Sequence, residues 1–315
     1  MTFYADPPDQ ELAAHFGDPY AEQKALEGGE AAVRRSNRGV VRVSGPDRLS
    51  WLHSLLSQHL SELTPGSATE ALLLSPNGHI EHHLQLVDDG SAVWAHVEPG
   101  TAADLAAFLD RMRFMLRVEV ADVSGEYDVV TGAGLSGELS LPDVAGMTSL
   151  IVPAGAAVDG CSDAGIWAYE ALRIASHKAR LGVDTDHRTI PHEIGFIGSA
   201  VHLNKGCYRG QETVARVHNL GRPPRRLVFL HLDGSEDRLP GRGEPVLADG
   251  RQVGFVGSAA RHHELGPIAL ALVKRTVPVE AALVVDGIAA AQEVIVSPDT
   301  GANVTIDPAL RGRRR

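Results

Sequence analysis

The order of hydrophobic patterns in residues 39–123 constrains the fold more than any other feature of this sequence. Apolar residues alternate over 40–43, which predicts a strand, and then recur at helical spacing over 46–62. Two further strands flank a turn at Asn77-Gly78, a third strand precedes a helix that starts near Thr101, and a last strand follows that helix. The order strand, helix, strands, helix, strand is typical of an α+β layer with a split βαβ arrangement.

Shifts in composition divide the chain into five parts. Residues 1–38 are polar and predict an N-terminal arm with one short helix. Residues 39–123 and 124–221 predict two α+β domains, and the sequence leaves open whether these are interleaved. Residues 222–310 contain short strands separated by Asp-Gly turn signals, which predicts a small antiparallel barrel or sandwich. Residues 311–315 form a basic tail, which we expect to be solvated.

Composition excludes several classes of function. The 315 residues are 43% hydrophobic and 22% charged, and the formal net charge is −11, which argues against broad nucleic-acid binding. No apolar run approaches the ~18 residues that span a bilayer, so we expect no membrane partner. Two cysteines are too few for a disulfide framework, and a reducing cytoplasm is the predicted compartment.

The segment Lys205-Gly206-Cys207-Tyr208-Arg209-Gly210-Gln211-Glu212 is the main candidate for chemistry. It places a thiol between two cations, just before a predicted helix that ends near Asn219 and Gly221. Nearby positive charge and the amides of a helix N-terminus both favour a thiolate. Cys207 is therefore a candidate reactive group that Lys205 activates. The alternative, a small buried thiol without chemistry, stays open.

Histidines and cysteines do not predict a metal site. His82 and His83 are adjacent, as are His262 and His263, and adjacent side chains on a strand point to opposite faces. Neither pair is expected to hold one metal, and two cysteines are too few for an iron–sulfur cluster within this chain. A cluster shared with a partner is left open.

The segment 205–212, with Thr213-Val214-Ala215-Arg216 behind it, resembles the signature of the YgfZ-type folate-binding proteins, which are relatives of the glycine-cleavage T-protein. Ala171-Leu172-Arg173-Ile174 and Pro191-His192-Glu193 resemble two further family segments, whereas residues 1–35 are not covered. The resemblance implies a three-domain, T-protein-like cloverleaf: two ferredoxin-like α+β domains around a central channel, plus a C-terminal antiparallel β-barrel.

The resemblance also implies a function. Tetrahydrofolate or a one-carbon derivative would bind in the channel, and the partners would be iron–sulfur proteins or their assembly factors, including radical enzymes that modify tRNA. Direct nucleic-acid binding is not expected. Cys207 and Lys205 would carry the chemistry. The implied folate-binding residues are Arg173, Tyr208, Gly210, Gln211, Glu212, His82 and His83.

Two departures from the T-protein pattern argue against an aminomethyltransferase. T-protein relatives carry an Asp-Asp pair where this chain has His82-His83, and imidazoles do not supply the negative charge of carboxylates. They also carry a Glu after Leu-Arg-Ile, where this chain has Ala175. Glu81 lies one residue away from the lost pair and could compensate for it. The alternatives therefore remain a folate-dependent aminomethyltransferase or demethylase, and a non-catalytic scaffold.

Overall fold

The computed structural model describes residues 3–301, which form two five-stranded sheets, a closed barrel and a small N-terminal hairpin. Five α-helices are found in this part of the chain: α1 (Pro19–Gly28), α2 (Arg48–Leu55), α3 (Ala102–Met112), α4 (Ile166–Ala175) and α5 (Gln211–Leu220). The strands are β1 (Phe3–Tyr4), β2 (Ala13–His15), β3 (Ala31–Arg35), β4 (Gly39–Ser44), β5 (Ala68–Leu74), β6 (Ile80–Asp88), β7 (Ala92–Val97), β8 (Glu119–Asp122), β9 (Tyr127–Gly132), β10 (Ser140–Pro142), β11 (Thr148–Pro153), β12 (Ser162–Ala164), β13 (Arg225–Leu232), β14 (Pro245–Ala248), β15 (Arg251–His262), β16 (Gly266–Lys274), β17 (Leu283–Val285) and β18 (Ile288–Val294).

The first sheet has the strand order β5-β6-β7-β4-β8, and every pairing in it is antiparallel. Helices α2 and α3 pack on one face, where Leu52, Leu105 and Leu109 are buried against Leu84 and Leu86 of β6. The predicted element order over 39–123 is confirmed. Helix α2 is shorter than the predicted 46–62, because the backbone is extended at its C-cap, Leu56.

The second sheet has the order β10-β11-β9-β3-β12, and it corrects the expectation of a separate N-terminal arm. Strand β3 comes from within residues 1–38, yet it lies inside this sheet, antiparallel to β9 and parallel to β12. Ala31, Ala32 and Val33 are buried there. The N-terminal segment is therefore part of the second α+β unit, and the chain of that unit is interrupted by the whole first sheet.

The two sheets pack against each other through their remaining apolar faces. Val40 and Val87 of the first sheet share a buried cluster with Val129 and Ile151 of the second. Helices α1 and α4 cover the opposite face of the second sheet, where Leu26 and Leu172 are buried. Polar and charged side chains occupy another part of the space between the two units, and this part contains the central cavity described below.

Residues 225–294 form a closed barrel in the order β13-β16-β15-β14-β17-β18, which confirms the predicted C-terminal antiparallel β-barrel. Alternate residues of β13 face opposite sides, as a strand requires. Val228 and Leu230 belong to the cluster inside the barrel, whereas Leu227 and Phe229 pack outward against α4 and α5. The predicted tail at 311–315, and the end of the predicted barrel domain at 302–310, lie outside the described residues. None of the helices within residues 3–301 is long and apolar enough to cross a membrane.

Candidate functional site

The loop before α5 is fixed by two glycines that pack against each other. Gly210 has a φ of +82°, and a Cβ atom there would lie 2.6 Å from the carbonyl oxygen of Ser75 and 3.1 Å from Cα of Gly78. Gly78 has a φ of +78°, and its own Cβ would lie 2.8 Å from Cβ of Thr213. Only glycine tolerates both the left-handed backbone and the close approach. Gly210 therefore locks the 205–212 segment onto the β5–β6 turn.

Lys205 is buried and holds the end of α2. Its ammonium group donates hydrogen bonds to the carbonyl oxygens of His53, of Leu56 at 2.5 Å and of Gln58 at 3.1 Å. A lysine at a helix C-terminus satisfies carbonyls that have no partner within the helix. Burial lowers the pKa of Lys205 to about 8, and the ammonium also lies 4.9 Å from the ring centroid of Tyr208.

Cys207 is exposed at the surface, and the two cations beside it in sequence make their contacts elsewhere. All three hydrogens of the Lys205 ammonium point to carbonyl oxygens. Arg209 forms an ion pair with Glu81 at 2.6 Å and lies 5.2 Å above the ring of Phe108. The contacts in the structure therefore give no support to the expectation that Lys205 and Arg209 activate the thiol.

The other residues of the segment have mainly structural contacts. Tyr208 is buried in the core shared with the barrel, and burial raises its pKa to about 12. Gln211 donates from Nε2 to the carbonyl of Lys205 at 3.3 Å, which closes the loop. Glu212 is exposed, and within residues 3–301 it has no hydrogen-bond or ion-pair partner. Cys207 and Glu212 are thus the members of the segment that face solvent without such a contact.

A second polar centre lies between the two sheets, where a cavity of about 20 Å³ is enclosed by side chains of both units. We call it the central cavity. It holds one or two water molecules at most. The charged and polar side chains that line it are Asp9, Arg35, Asn37, Arg38, His83, Gln85, Glu98, Tyr169, Arg173, Lys178 and Arg180.

Every carboxylate that lines the central cavity is paired with arginine. Arg180 contacts Asp9 at 2.5 Å and Glu98 at 2.7 Å, and Arg38 contacts Glu98 at 2.5 Å. Burial alone would raise the pKa of Glu98, but the charges of Arg38 and Arg180 outweigh it and hold that pKa well below its usual range. The arginines have carboxylate partners in turn, and Arg35 contacts Asp143 at 2.9 Å.

Arg173 is the most highly coordinated of these arginines. Its guanidinium donates to Glu170 at 2.7 Å, to Asp184 at 2.9 Å, to Oγ of Ser258 at 2.7 Å and to the carbonyl of Lys178 at 2.5 Å. Ser258 belongs to the barrel, so one side chain joins α4 to the third unit. Arg173 is predicted from sequence to bind a ligand, and the structure gives it a structural task as well.

His82 and His83 lie on opposite faces of β6. His83 lines the central cavity, and its Nε2 lies 3.0 Å from Oε2 of Glu70. His82 is not part of the lining, and burial lowers its pKa. Of the nine residues predicted from sequence as a site, the structure brings Arg173 and His83 to the central cavity. The other seven are not among the residues that line it.

A groove of about 210 Å³ lies next to the central cavity, and the two share a wall. Gln85 lines both spaces, whereas Glu70 lines the groove and its partners His83 and Lys178 line the cavity. Glu70 contacts Nζ of Lys178 at 2.5 Å. The contacts of Glu70 with His83 and Lys178 separate the groove from the central cavity, and we call this set of contacts the Glu70 partition.

The central cavity does not admit a pterin ring in this conformation. Pockets for drug-sized ligands measure ~300–1,000 Å³, far above the space enclosed here. The chemistry of the lining is suitable, since arginines can pair with a carboxylate and amides with a heterocycle. Residues such as Arg35, Arg38 and Glu70 were missed from sequence, because their partners are distant in the chain.

The second adjacent histidine pair departs from the sequence expectation. Strand β15 ends at His262, so the alternation rule does not apply to His263, and the two rings stack with centroids 4.6 Å apart. Glu27 of α1 lies 2.8 Å from Nε2 of His263, and ligand atoms of all three residues lie within 4.8 Å of one another. Nδ1 of His262 accepts the N–H groups of Glu264 and Leu265, which places its ring proton on Nε2. A metal would need that nitrogen as a free lone pair, so the cluster is better described as a hydrogen-bonded link between α1 and the barrel.

The C-terminal part of the chain matches a known domain family. Residues 225–306 match the family model of the glycine cleavage T-protein C-terminal barrel domain. The crystal structure of the glycine cleavage system aminomethyltransferase T from Bartonella henselae superposes with a TM-score of 0.79, at 16% identity, over 95% of both chains. The protein therefore has a T-protein-type C-terminal barrel and the T-protein fold.

Several curated proteins are similar in sequence, among them the aminomethyltransferase of Geobacillus kaustophilus, which is 26% identical over 85% of both chains. The putative chloroplastic transferase At1g60990 of Arabidopsis thaliana is 24% identical over 74% of this chain and 62% of its own length. The mitochondrial iron–sulfur cluster assembly factor IBA57 homolog of Mycosarcoma maydis is 26% identical over 62% of this chain and 55% of its own length. The chain thus spans less than two thirds of the length of the transferase and of the assembly factor.

Proposed function

We propose that this protein is a tetrahydrofolate-binding accessory factor for iron–sulfur proteins, of the YgfZ type, and not an aminomethyltransferase. Its clients would include radical enzymes that modify tRNA, and it would act in the cytoplasm. The resemblance of segment 205–212 and the similarity to an iron–sulfur cluster assembly factor support this proposal. The T-protein fold by itself does not distinguish the two functions.

The observation that carries the second half of the proposal is that the carboxylates Glu98, in the central cavity, and Glu70, beside it, are both engaged by basic side chains. A general base works best when its pKa lies near the operating pH. The pKa of Glu98 is held well below its usual range by Arg38 and Arg180, and the pKa of Glu70 is lowered to about 2 by His83 and Lys178 against the opposing effect of burial. These carboxylates are therefore poor proton acceptors.

The residues that replace the T-protein Asp pair support the same conclusion. His83 reaches the central cavity, but its Nε2 is engaged with Glu70. His82 points to the other face of β6. Glu81, which could have compensated, is exposed and paired with Arg209. No carboxylate from this segment of β6 lines the cavity.

Folate binding requires the Glu70 partition to open. The groove is the larger space, and it lies between β5 and β10, which are edge strands of the two sheets. Domain junctions of this kind are common places for ligand sites. A folate would enter the groove, displace the contacts of Glu70 and meet the arginines beyond.

Cys207 would act at the surface and toward a partner protein. Its exposure permits contact with a client, and Glu212 lies exposed five residues later, just inside α5. Lys205 would serve by holding the loop, through the carbonyls of α2. This arrangement separates ligand binding in the centre of the molecule from thiol chemistry at its edge.

Calorimetry with the purified chain and tetrahydrofolate tests the ligand. Ser199 is exposed and lines the groove, so Ser199→Trp should fill it and weaken binding by about tenfold or more, which is ~1.4 kcal/mol. Ser235→Trp, on an exposed loop of the barrel unit, is the matched control and should bind like the wild type. Absence of heat with the wild type at millimolar ligand would refute the folate part of the proposal.

Activity measurements test the role. In a strain that lacks this protein, the wild-type chain should restore the activity of iron–sulfur enzymes, and Cys207→Ala should not. Full restoration by Cys207→Ala would remove the thiol from the mechanism. Formation of methylene-tetrahydrofolate from an aminomethyl or N-methyl donor would overturn the proposal and establish a T-protein-type enzyme.

A further inference from the structure

Gln85 is the residue of the shared wall with an unused hydrogen-bonding atom. It lies on β6, on the same face as His83, and it lines both the groove and the central cavity. Its Oε1 atom is buried and has no hydrogen-bond partner. A buried carbonyl without a donor costs free energy, so such an atom in the wall between a groove and a polar cavity points to a function.

The neighbours of Gln85 leave it free to act. In the sheet, Gln85 stands directly opposite Glu70 of β5 on one side and His96 of β7 on the other. Glu70 is occupied by His83 and Lys178. His96 is occupied at Nδ1 by Arg38 at 3.0 Å. In the row formed by Glu70, Gln85 and His96, the side-chain oxygen of Gln85 is thus the acceptor that has no hydrogen bond.

We propose that Gln85 is the specificity-determining acceptor of the site, and that it reads an N–H group on a planar nitrogen heterocycle once the Glu70 partition opens. This inference rests on the proposed function and adds the residue that selects the ligand. In this rotamer Oε1 is the buried atom without a partner, and it accepts a ligand N–H group, whereas a ligand carbonyl or ether oxygen at that point would need the carboxamide to turn over and present Nε2. A site built to bond an N–H group rejects the analogue that lacks it far more strongly than an apolar wall does.

Gln85 and Glu70 have different tasks in this scheme. Glu70 keeps the inner cavity closed in the absence of ligand, because its two contacts bridge β6 and the segment after α4. Gln85 already lines both spaces, and its buried Oε1 atom becomes accessible to a ligand when the Glu70 partition opens. A ligand that enters from the groove would therefore contact the Gln85 side chain first and bond to its Oε1 atom after the partition has opened.

The substitution Gln85→Leu tests the proposal, because it removes the acceptor and keeps a similar shape. We expect the affinity for tetrahydrofolate, measured by calorimetry on the full chain, to fall by about tenfold or more. The affinity for p-aminobenzoylglutamate, which lacks the heterocycle, should be the same in both proteins. The thermal unfolding midpoint should not fall, because the variant loses no hydrogen bond of the folded protein.

The matched control is Gln252→Leu, at an exposed position of β15, which should change neither affinity. Equal binding of tetrahydrofolate by the wild type and Gln85→Leu would overturn the inference while leaving the proposed function intact. No binding by the wild type would instead refute the proposed function. A lowered unfolding midpoint for Gln85→Leu would also overturn the inference. It would show that Gln85 stabilises the folded protein, for example by a hydrogen bond to the neighbouring His96, whose buried Nε2 atom has no other partner.

Discussion

Glu70→Gln is the most informative single change, because Glu70 links both sides of the wall around the central cavity. Glu70 contacts Lys178 at 2.5 Å and His83 at 3.0 Å. Burial alone would raise the pKa of Glu70, but the hydrogen bond with His83 and the charges of His83 and Lys178 lower it from 4.5 to about 2. Glutamine keeps the shape and removes the charge.

The pKa shift sets the size of the effect. A shift of this extent corresponds to about 3 kcal/mol of free energy of unfolding at neutral pH. Lys178 and Glu70 each keep about a quarter of the side chain exposed to water, which reduces the expected loss to about 2 kcal/mol.

The sign of the pH dependence follows from the lowered pKa. A carboxyl group whose pKa is lower in the folded state stabilises the fold fully above its unfolded pKa, here 4.5, and the stabilisation disappears as the pH falls through the folded pKa, here about 2. The difference between wild type and Glu70→Gln should therefore be largest above pH 6. It should shrink by about a quarter at pH 4 and by more than half at pH 3.

Urea unfolding of both proteins across this pH range measures the difference. Glu119→Gln, at an exposed position of β8, is the control and should match the wild type at every pH. A difference that does not change with pH would show that the loss comes from packing and not from charge. Equal stability of Glu70→Gln and wild type at pH 7 would refute the reasoning altogether.

Three further changes test the role of particular side chains. Gly210→Ala should lower the free energy of unfolding by about 2 kcal/mol, because the φ of Gly210 is +82° and a Cβ would lie 2.6 Å from the oxygen of Ser75. The control is Gly206→Ala, whose Cβ would meet open space and should change the free energy of unfolding by less than about 0.5 kcal/mol. Equal effects of the two changes would contradict the argument from the Gly210 backbone. An alkylating reagent should label Cys207 rapidly in the folded protein, and Cys207→Ser should abolish this fast phase, whereas protection of the thiol until unfolding would disprove its exposure. Arg173→Lys should lower the free energy of unfolding, measured with urea, by about 3–5 kcal/mol, because lysine does not reproduce the forked contacts of a buried guanidinium. A smaller loss would show that the surrounding carboxylates rearrange around lysine.

Local patterns predicted the parts of this fold that depend on local interactions. Helix α5 was expected to run from Gln211 to near Asn219, and it spans Gln211–Leu220. The Asn77-Gly78 turn lies between β5 and β6 as predicted. The apolar stripe over 46–62 suggested too long a helix, because Leu56 and Leu60 are buried although they lie beyond the end of α2, in an irregular segment.

The environment of the charged residues was not predictable from local patterns. Arg35 and Arg38 occur in a polar, basic stretch, which is typical of a solvated arm. In the structure they are buried, because Asp143 and Glu98, which neutralise them, come from distant parts of the chain. Periodicity is measured over neighbouring residues of the chain, so it contains no information about ion pairs between distant residues.

The structure also changes what the 205–212 segment says about function. Four of its residues have a structural reason to be present. Lys205 bonds the end of α2, Tyr208 packs in a buried core, Gly210 allows a close backbone contact and Gln211 closes the loop. Packing alone can therefore account for half of the eight positions of this segment. Packing gives no such reason for Cys207, which is exposed and which serine or alanine would replace at little cost to stability. The case for chemistry in this segment thus depends on Cys207, and its position favours a reaction with a partner protein at the surface over one with a ligand in the central cavity.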